Sequence, residues 1–324
     1  MAVYTHVPAE EIDAFLSRYD AGRLVSAKGI AEGVENSNYL LETTGADGNG
    51  HRYILTLYEK RVNEADLPFF MDLLDHLGAR GCLVPRFIPD REGKRLQQLG
   101  GRPACLIEFL TGISLTEPTA AQARAAGAAL GQLHRAAEGF TSERRNALDL
   151  AGWHDLAAKC GEHFDEITPG LGKRVAEELA FLDAHWPADL PHSVIHADLF
   201  PDNVLMLGDE VTGLIDFYFS CTDIRAYDLA VTHSAWCFSN DGEEFFSERS
   251  DALLAGYEAA HGLSDAERAA FPTLCRGAAL RFLLTRAYDW INTPPDALVT
   301  RKDPLAYLRR LDFYAGAGAE LLAA

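Results

Sequence analysis

At 324 residues, 48% hydrophobic and 24% charged, the chain is long enough for one large or two medium domains around a buried core. A formal net charge of −19 argues against nucleic acid or an anionic membrane surface as partner, and no apolar run approaches the length that spans a bilayer. The six cysteines show no Cys-x-x-Cys pair and no His-Cys metal spacing, and the start of the chain lacks a secretory pattern, so reduced thiols in a cytoplasmic protein are expected.

The first hundred or so residues read as strand-rich. Segments 23–29 and 38–43 form a hairpin around residues 30–37, and Tyr53–Tyr58 makes a third strand after the turn Ala46-Asp-Gly-Asn-Gly50. Asn63 offers an N-cap to a helix carrying Leu67, Phe70, Leu74 and Leu77 at helical spacing. Strands near 83–88 and 104–109 complete a small sheet. After Gly112 the pattern turns helical. Thr119-Ala-Ala-Gln122 resembles a capping box before an Ala-rich helix to about Ala137, and 153–166, 172–186, 250–261, 265–290 and 304–323 are predicted helices. Val204–Leu207 and Val211–Ile215 read as two short strands around Gly208-Asp209-Glu210. This order predicts an α+β chain of two domains, 1–111 and 112–324, joined by a hinge near Glu108 to Gly112.

The chemistry concentrates in His196-Ala-Asp198-Leu-Phe-Pro-Asp-Asn203, followed thirteen residues later by Asp216-Phe217. Phosphoryl transfer from ATP needs a carboxylate aimed at the attacking hydroxyl and oxygen ligands for Mg²⁺. Protein kinases supply a catalytic-loop Asp, an Asn five residues on, and the Asp of a strand-end Asp-Phe-Gly. Asp198, Asn203 and Asp216 have those identities in that order. An antiparallel hairpin between Asn203 and Asp216 would bring the two together, and two oxygen ligands on a rigid hairpin suit Mg²⁺. Asp198 is therefore the expected base, Asn203 and Asp216 the expected metal ligands, and His196 a brace for the loop.

Together with Leu130-Gly-Gln-Leu-His-Arg135, these motifs resemble the aminoglycoside/choline kinase-like superfamily of small-molecule kinases, which implies a bilobal protein-kinase-like fold. Tyr53 to Lys60, Val194 to Val204, Ile215 to Val231, Leu280 to Asp289 and Lys302-Asp-Pro304 are similar to the bacterial homoserine kinases of that superfamily. The similarity runs from Tyr4 to about Tyr314. It implies ATP- and Mg²⁺-dependent phosphorylation of the side-chain hydroxyl of L-homoserine to O-phospho-L-homoserine, in threonine biosynthesis. One alternative keeps the fold and changes the acceptor to an aminoglycoside, choline or a sugar. The other is a non-catalytic nucleotide-binding regulator.

The resemblance also assigns site residues. In a kinase's third strand a phosphate-binding Lys lies two residues after a small apolar residue above adenine. Here those positions hold Ile54 and Thr56, a departure shared with the homoserine kinases. Lys28 and the Asn36-Ser37-Asn38 run, with Gly33 in the preceding loop, are then expected at the phosphates, and the backbone around Glu108 and Leu110 at adenine. Homoserine is a zwitterion, so its pocket needs a cation for the carboxylate. Arg281 and Arg286, five apart on an otherwise apolar helix, are candidates, with Asp223 and Arg225 behind them. For each Arg the alternative is a structural bridge to an acidic neighbour. Asp228, in Asp-Leu-Ala, matches a superfamily aspartate that helps position the catalytic loop; capping the helix through Val231 and Trp236 is an equally good and compatible reading.

Overall fold

The computed structural model describes residues 5–30, 36–45, 47–59, 63–293 and 301–321, in two compact units. One holds the chain to Gly112 with Thr212–Tyr218; the other holds Ile113–Val211 and the chain from Phe219 onward.

The first unit begins with α1 (Ala9–Leu16), β1 (Arg23–Gly29), β2 (Asn36–Thr44) and β3 (Gly50–Tyr58), continues through α2 (Leu67–Ala79), and ends with β4 (Phe87–Ile88), β5 (Gln97–Leu99) and β6 (Arg102–Glu108). The sheet is antiparallel throughout, in the order β1-β2-β3-β6-β4, with β5 also on β6. Tyr39, Leu41, Leu55, Leu57 and Leu106 form a core with Ile12, Phe15 and Leu16 of α1, removing apolar area worth about 25 cal/mol per Å² from water. Helix α1 has no sequence-level signature: it is eight residues long with no side-chain cap. The predicted strand over 83–88 shrinks to Phe87–Ile88, because Pro85 has no N–H for a ladder. Asn63 does act as a cap, accepting from the Ala65 N–H at 3.2 Å. It caps a 3₁₀ turn, Glu64–Asp66, that leads into α2.

The second unit runs α3 (Ala120–Ala136), α4 (Leu150–Cys160), α5 (Phe164–Ile167), α6 (Leu171–His185), β7 (His192–Ile195), β8 (Val204–Leu207), β9 (Glu210–Leu214), β10 (Cys221–Ile224), α7 (Arg225–Trp236), α8 (Ser247–Ala260), α9 (Asp265–Asn292) and α10 (Leu305–Ala315). The Thr119/Gln122 capping box forms as read, and Ser264/Glu267 builds a second at the start of α9. Two predicted helices are cut short. The one over 153–166 breaks at Gly161, whose φ of 51° is left-handed. The one over 304–323 ends at Ala315, before Gly316. Helices α3 and α8 touch backbone to backbone, and a Cβ on Gly127 would sit 2.1 Å from the Leu253 carbonyl oxygen. β8 and β9 pair as the expected hairpin, although the end of β9 belongs to the first unit. β7 and β10 form a further antiparallel pair, with Ile195 opposite Cys221. Helix α7 follows β10 directly and is buried at Ala226 through Ser234, so any polar group on it needs an internal partner.

Candidate active site

In the second unit β7 ends at Ile195 and the chain turns sharply. Ala197 has φ 64°; it and Asp216, at 65°, are the only non-glycine residues of left-handed backbone among those described. An L-residue there is disfavoured and persists where its surroundings hold it. Asp228 supplies much of that hold. It is the fourth residue of α7, so the capping alternative fails: the helix starts at Arg225, with Ile224 at the N-cap position. Its fully buried carboxylate accepts the N–H groups of His196 and Ala197, each at 2.7 Å. It also takes His134 Nε2 at 3.0 Å. Burial pushes the Asp228 carboxyl pKa up. The hydrogen bond and charge of His134, the charge of His196 and the His196 N–H outweigh it and hold the group below its ordinary value. His134 Nδ1 lies 2.9 Å from the Tyr257 hydroxyl.

The loop closes on itself from there. The Asp198 N–H donates to His196 Nδ1 at 3.3 Å, and Trp236 Nε1 donates to the Leu199 carbonyl at 2.9 Å. The Asp198 carbonyl accepts from Phe200 N at 2.8 Å and from Asn203 Nδ2 at 2.7 Å. That amide nitrogen also lies 3.3 Å from the Asp198 carboxylate. With its nitrogen turned to Asp198, Asn203 leaves its carbonyl oxygen as the acceptor for a cation, a donor type that suits Mg²⁺. His196 is fully buried.

The substrate candidates separate by environment. Arg225 donates from Nε and Nη2, at 3.2 and 2.6 Å, to one oxygen of buried Glu267, and its Nη1 meets His261 at 3.2 Å. This is the structural bridge foreseen as its alternative, and it corrects the expectation of a substrate ligand, because the guanidinium fork is already filled. Asp223 accepts from Asn146 Nδ2 at 2.6 Å. Arg281 is 2% exposed and donates to the Ala197 carbonyl, with its charge over the rings of Phe219 and Phe282. The open substrate contact expected of it has no access there. Arg286 is half-buried on Tyr307, 4.5 Å from the ring centroid, and donates to the Asp303 carbonyl at 3.1 Å. Burial lowers its pKa and nearby Arg310 adds to that, while Tyr307, Asp303 and Asp198 act the other way. Among the described residues Arg286 has no ion pair with a carboxylate.

In the first unit, Thr56 faces Asn38 across the β2–β3 ladder and donates to its Oδ1 at 2.7 Å. A neutral, part-buried hydrogen bond thus stands where a kinase lysine is expected. Ser37, fully buried, donates to Glu59 at 2.8 Å, and Asn36 Oδ1 accepts the Glu59 N–H at 3.4 Å. Lys28 is exposed on β1 opposite Leu40, and Ile54 is half-buried opposite Ile107. Glu108, at the end of β6, binds Arg86 at 3.2 Å, and Leu110 is half-buried beyond it. Gly33 lies outside the described residues. Asp216 is exposed. Two residues on, Tyr218 packs edge-on against Tyr58 and Phe70, each at 5.6 Å, and donates to the Tyr58 hydroxyl at 3.3 Å.

Sequence reasoning missed His134, Tyr257 and Tyr218 as supports. His134 carried a signal, since it is the one imidazole on an otherwise Ala-rich apolar helix face. Tyr257 and Tyr218 carried none.

The chain matches the phosphotransferase enzyme family over residues 26–271. It is 56% identical to a homoserine kinase of Zymomonas mobilis, covering 99% of both chains. Identity to a homoserine kinase of Rhizobium rhizogenes is 54%, over 97% of this chain and 96% of that one. Among solved structures, the amicoumacin kinase hAmiN in complex with AMP-PNP, Ca²⁺ and Ami superposes with a TM-score of 0.71 at 17% identity, over 95% of this chain and 93% of that one. That likeness shows a protein-kinase-like phosphotransferase fold, with a β-sheet N-terminal region and a helical C-terminal part.

Proposed function

We propose that this chain, which belongs to the phosphotransferase enzyme family and within it to the homoserine kinases, transfers the γ-phosphoryl group of ATP to the side-chain hydroxyl of L-homoserine. The product is O-phospho-L-homoserine, an intermediate of threonine biosynthesis. The observation that carries the reading is the Asp198 loop, buttressed from behind by a buried carboxylate in a chain homologous to homoserine kinases end to end.

Asp198 takes the proton of the attacking hydroxyl. Such assistance is worth about 10²–10⁴-fold in rate, provided the carboxylate is held in place, and the contacts among Asp228, Asn203 and His196 favour that. Asn203 and Asp216 are assigned to Mg²⁺ on the chemistry of their oxygens. When bound, the ion neutralises charge on the β- and γ-phosphates. The substrate carboxylate is assigned to Arg286, a half-buried cation with no carboxylate partner among the described residues. Lys28 and the backbone of Asn36–Asn38 are assigned to the phosphates, since the side chains of Asn36, Ser37 and Asn38 already bond within the sheet. The backbone around Glu108 and Leu110 is assigned to adenine. No helix among the described residues is long and apolar enough to cross a membrane, and a cytoplasmic site of action belongs to the same proposal.

An acceptor panel with ATP and Mg²⁺ tests the assignment. Homoserine should be strongly preferred over homoserinol, choline and an aminoglycoside. Equal turnover of homoserine and homoserinol, or preference for a cationic acceptor, would remove homoserine and leave only the phosphotransferase family.

A further inference from the structure

Helix α9 carries a cation that its surroundings do not neutralise. Arg281 is 2% exposed, has no ion pair with a carboxylate among the described residues, and leaves its Nε without a hydrogen-bond partner. A buried, incompletely satisfied guanidinium is costly, so the hydrogen bond it gives to a backbone carbonyl needs a reason. That contact is the carbonyl of Ala197, the residue held at φ 64° immediately before Asp198. The N–H of the same residue goes to Asp228. Ala197 is therefore gripped at both polar ends, by a buried anion at its nitrogen and a buried cation at its oxygen. Its carbonyl belongs to the peptide unit that continues into the nitrogen of Asp198, so whatever fixes that oxygen fixes the plane from which the Asp198 side chain departs. The rings of Phe219 and Phe282, at 5.5 and 4.6 Å from the guanidinium carbon, offset part of the cost by cation–π attraction.

We infer that Arg281 is a positioning residue for Asp198: it acts through the Ala197 carbonyl to hold the strained turn that aims the base, and it does not bind the acceptor. The inference rests on Asp198 being the base. Three predictions distinguish it from a substrate-binding or merely structural role. First, Arg281→Met should lower kcat by about 10²-fold, the order expected when a catalytic group is misplaced by about 1 Å. KM for homoserine should stay within a few-fold, because no acceptor contact is lost. Second, the loss should be the same factor on homoserine and on homoserinol. Third, Ala197→Gly, placed in the Arg281→Met background, should recover kcat by up to about tenfold. Glycine takes a left-handed φ without the penalty of an L-residue, so the turn needs less holding.

The experiment is steady-state kinetics of wild type, Arg281→Met, Arg281→Lys and Arg281→Met/Ala197→Gly on both acceptors, with thermal melts alongside. Arg281→Lys keeps a donor for the carbonyl and serves if the methionine variant does not fold. It should lose less kcat than methionine while keeping the wild-type homoserine-to-homoserinol ratio. A raised homoserine KM with kcat intact, or a collapsed preference for homoserine, would return Arg281 to the acceptor pocket and overturn the inference. So would a kcat deficit that Ala197→Gly leaves untouched. If wild type prefers another acceptor, the substrate reading fails by itself, and the positioning role is read with that acceptor.

Discussion

The loop around Asp198 and the β2–β3 ladder around Thr56 are both assigned to the reaction, and they are built differently. In the second unit, buried Asp228, itself bonded to buried His134, and buried Arg281 grip one loop and hold a non-glycine residue in left-handed backbone. In the first unit, where a kinase lysine is expected, Thr56 and Asn38 share a neutral hydrogen bond across a ladder that already fixes their backbone. Buried charge is costly, and at this site it serves a strained turn that has no ladder of its own. Where the strands supply the geometry, uncharged side chains suffice. On the proposed reading, positive charge for the phosphates comes from outside that pair, with Mg²⁺ and exposed Lys28 as the candidates.

The largest expected effect tests the loop. Asp198→Asn keeps the shape and removes the base, so kcat should fall by roughly 10²–10⁴-fold while KM for ATP barely moves. Turnover close to wild type at saturating homoserine would mean that the buttressed carboxylate is not the base. Next is Arg286→Ala. Losing a charged contact to the acceptor should lower kcat/KM for homoserine by roughly 30- to 1,000-fold and erase most of the preference over homoserinol. An unchanged preference would reject Arg286 as the carboxylate ligand.

Two smaller effects sharpen the contrast between charge and ladder. Asp228→Asn presents one amide face where two N–H groups and His134 need acceptors, and should cost about 1–3 kcal/mol of stability. Since the folded carboxyl lies below its ordinary value, its contribution is fully present above the unfolded pKa. It is lost as pH falls through the lower folded value. Melting curves from pH 7 downward should therefore show the wild-type advantage shrinking only in the acid range; an advantage lost near neutrality would contradict an ionised Asp228. Smallest is Thr56→Val, which removes the hydroxyl bonded to Asn38 and should cost about 1 kcal/mol. Its companion, Thr56→Lys, would bury an ammonium at a position that is 2% exposed. It should destabilise the chain without lowering KM for ATP. Tighter ATP binding in that variant would break the comparison.

Local pattern carried much of this in the sequence itself. The hairpin at β8 and β9 and the capping box at Thr119 depend on residues a few positions apart, and each forms as read. Elements whose stability comes from distant partners were illegible: α1 is short and uncapped, and β7 and β10 are four-residue strands that exist by pairing with each other. The same limit governed the site. Arg281 and Arg286 are one residue type on one helix, and composition cannot rank them. Five residues turn a helix by about 140° beyond one full revolution, so the two side chains leave α9 on different faces. One is buried against the Ala197 carbonyl, while the other stays half-open beside Tyr307. Asp228 tells the same story: from sequence, an aspartate near a helix start reads equally well as a cap or as a support for the loop. It becomes the anchor of the loop only because β10 pairs with β7 and starts α7 three residues earlier, turning that carboxylate inward to the backbone of His196 and Ala197. The sequence by itself determined which groups could do the chemistry, because identity and spacing are local. Packing between distant segments decided which of them are gripped and which stay open.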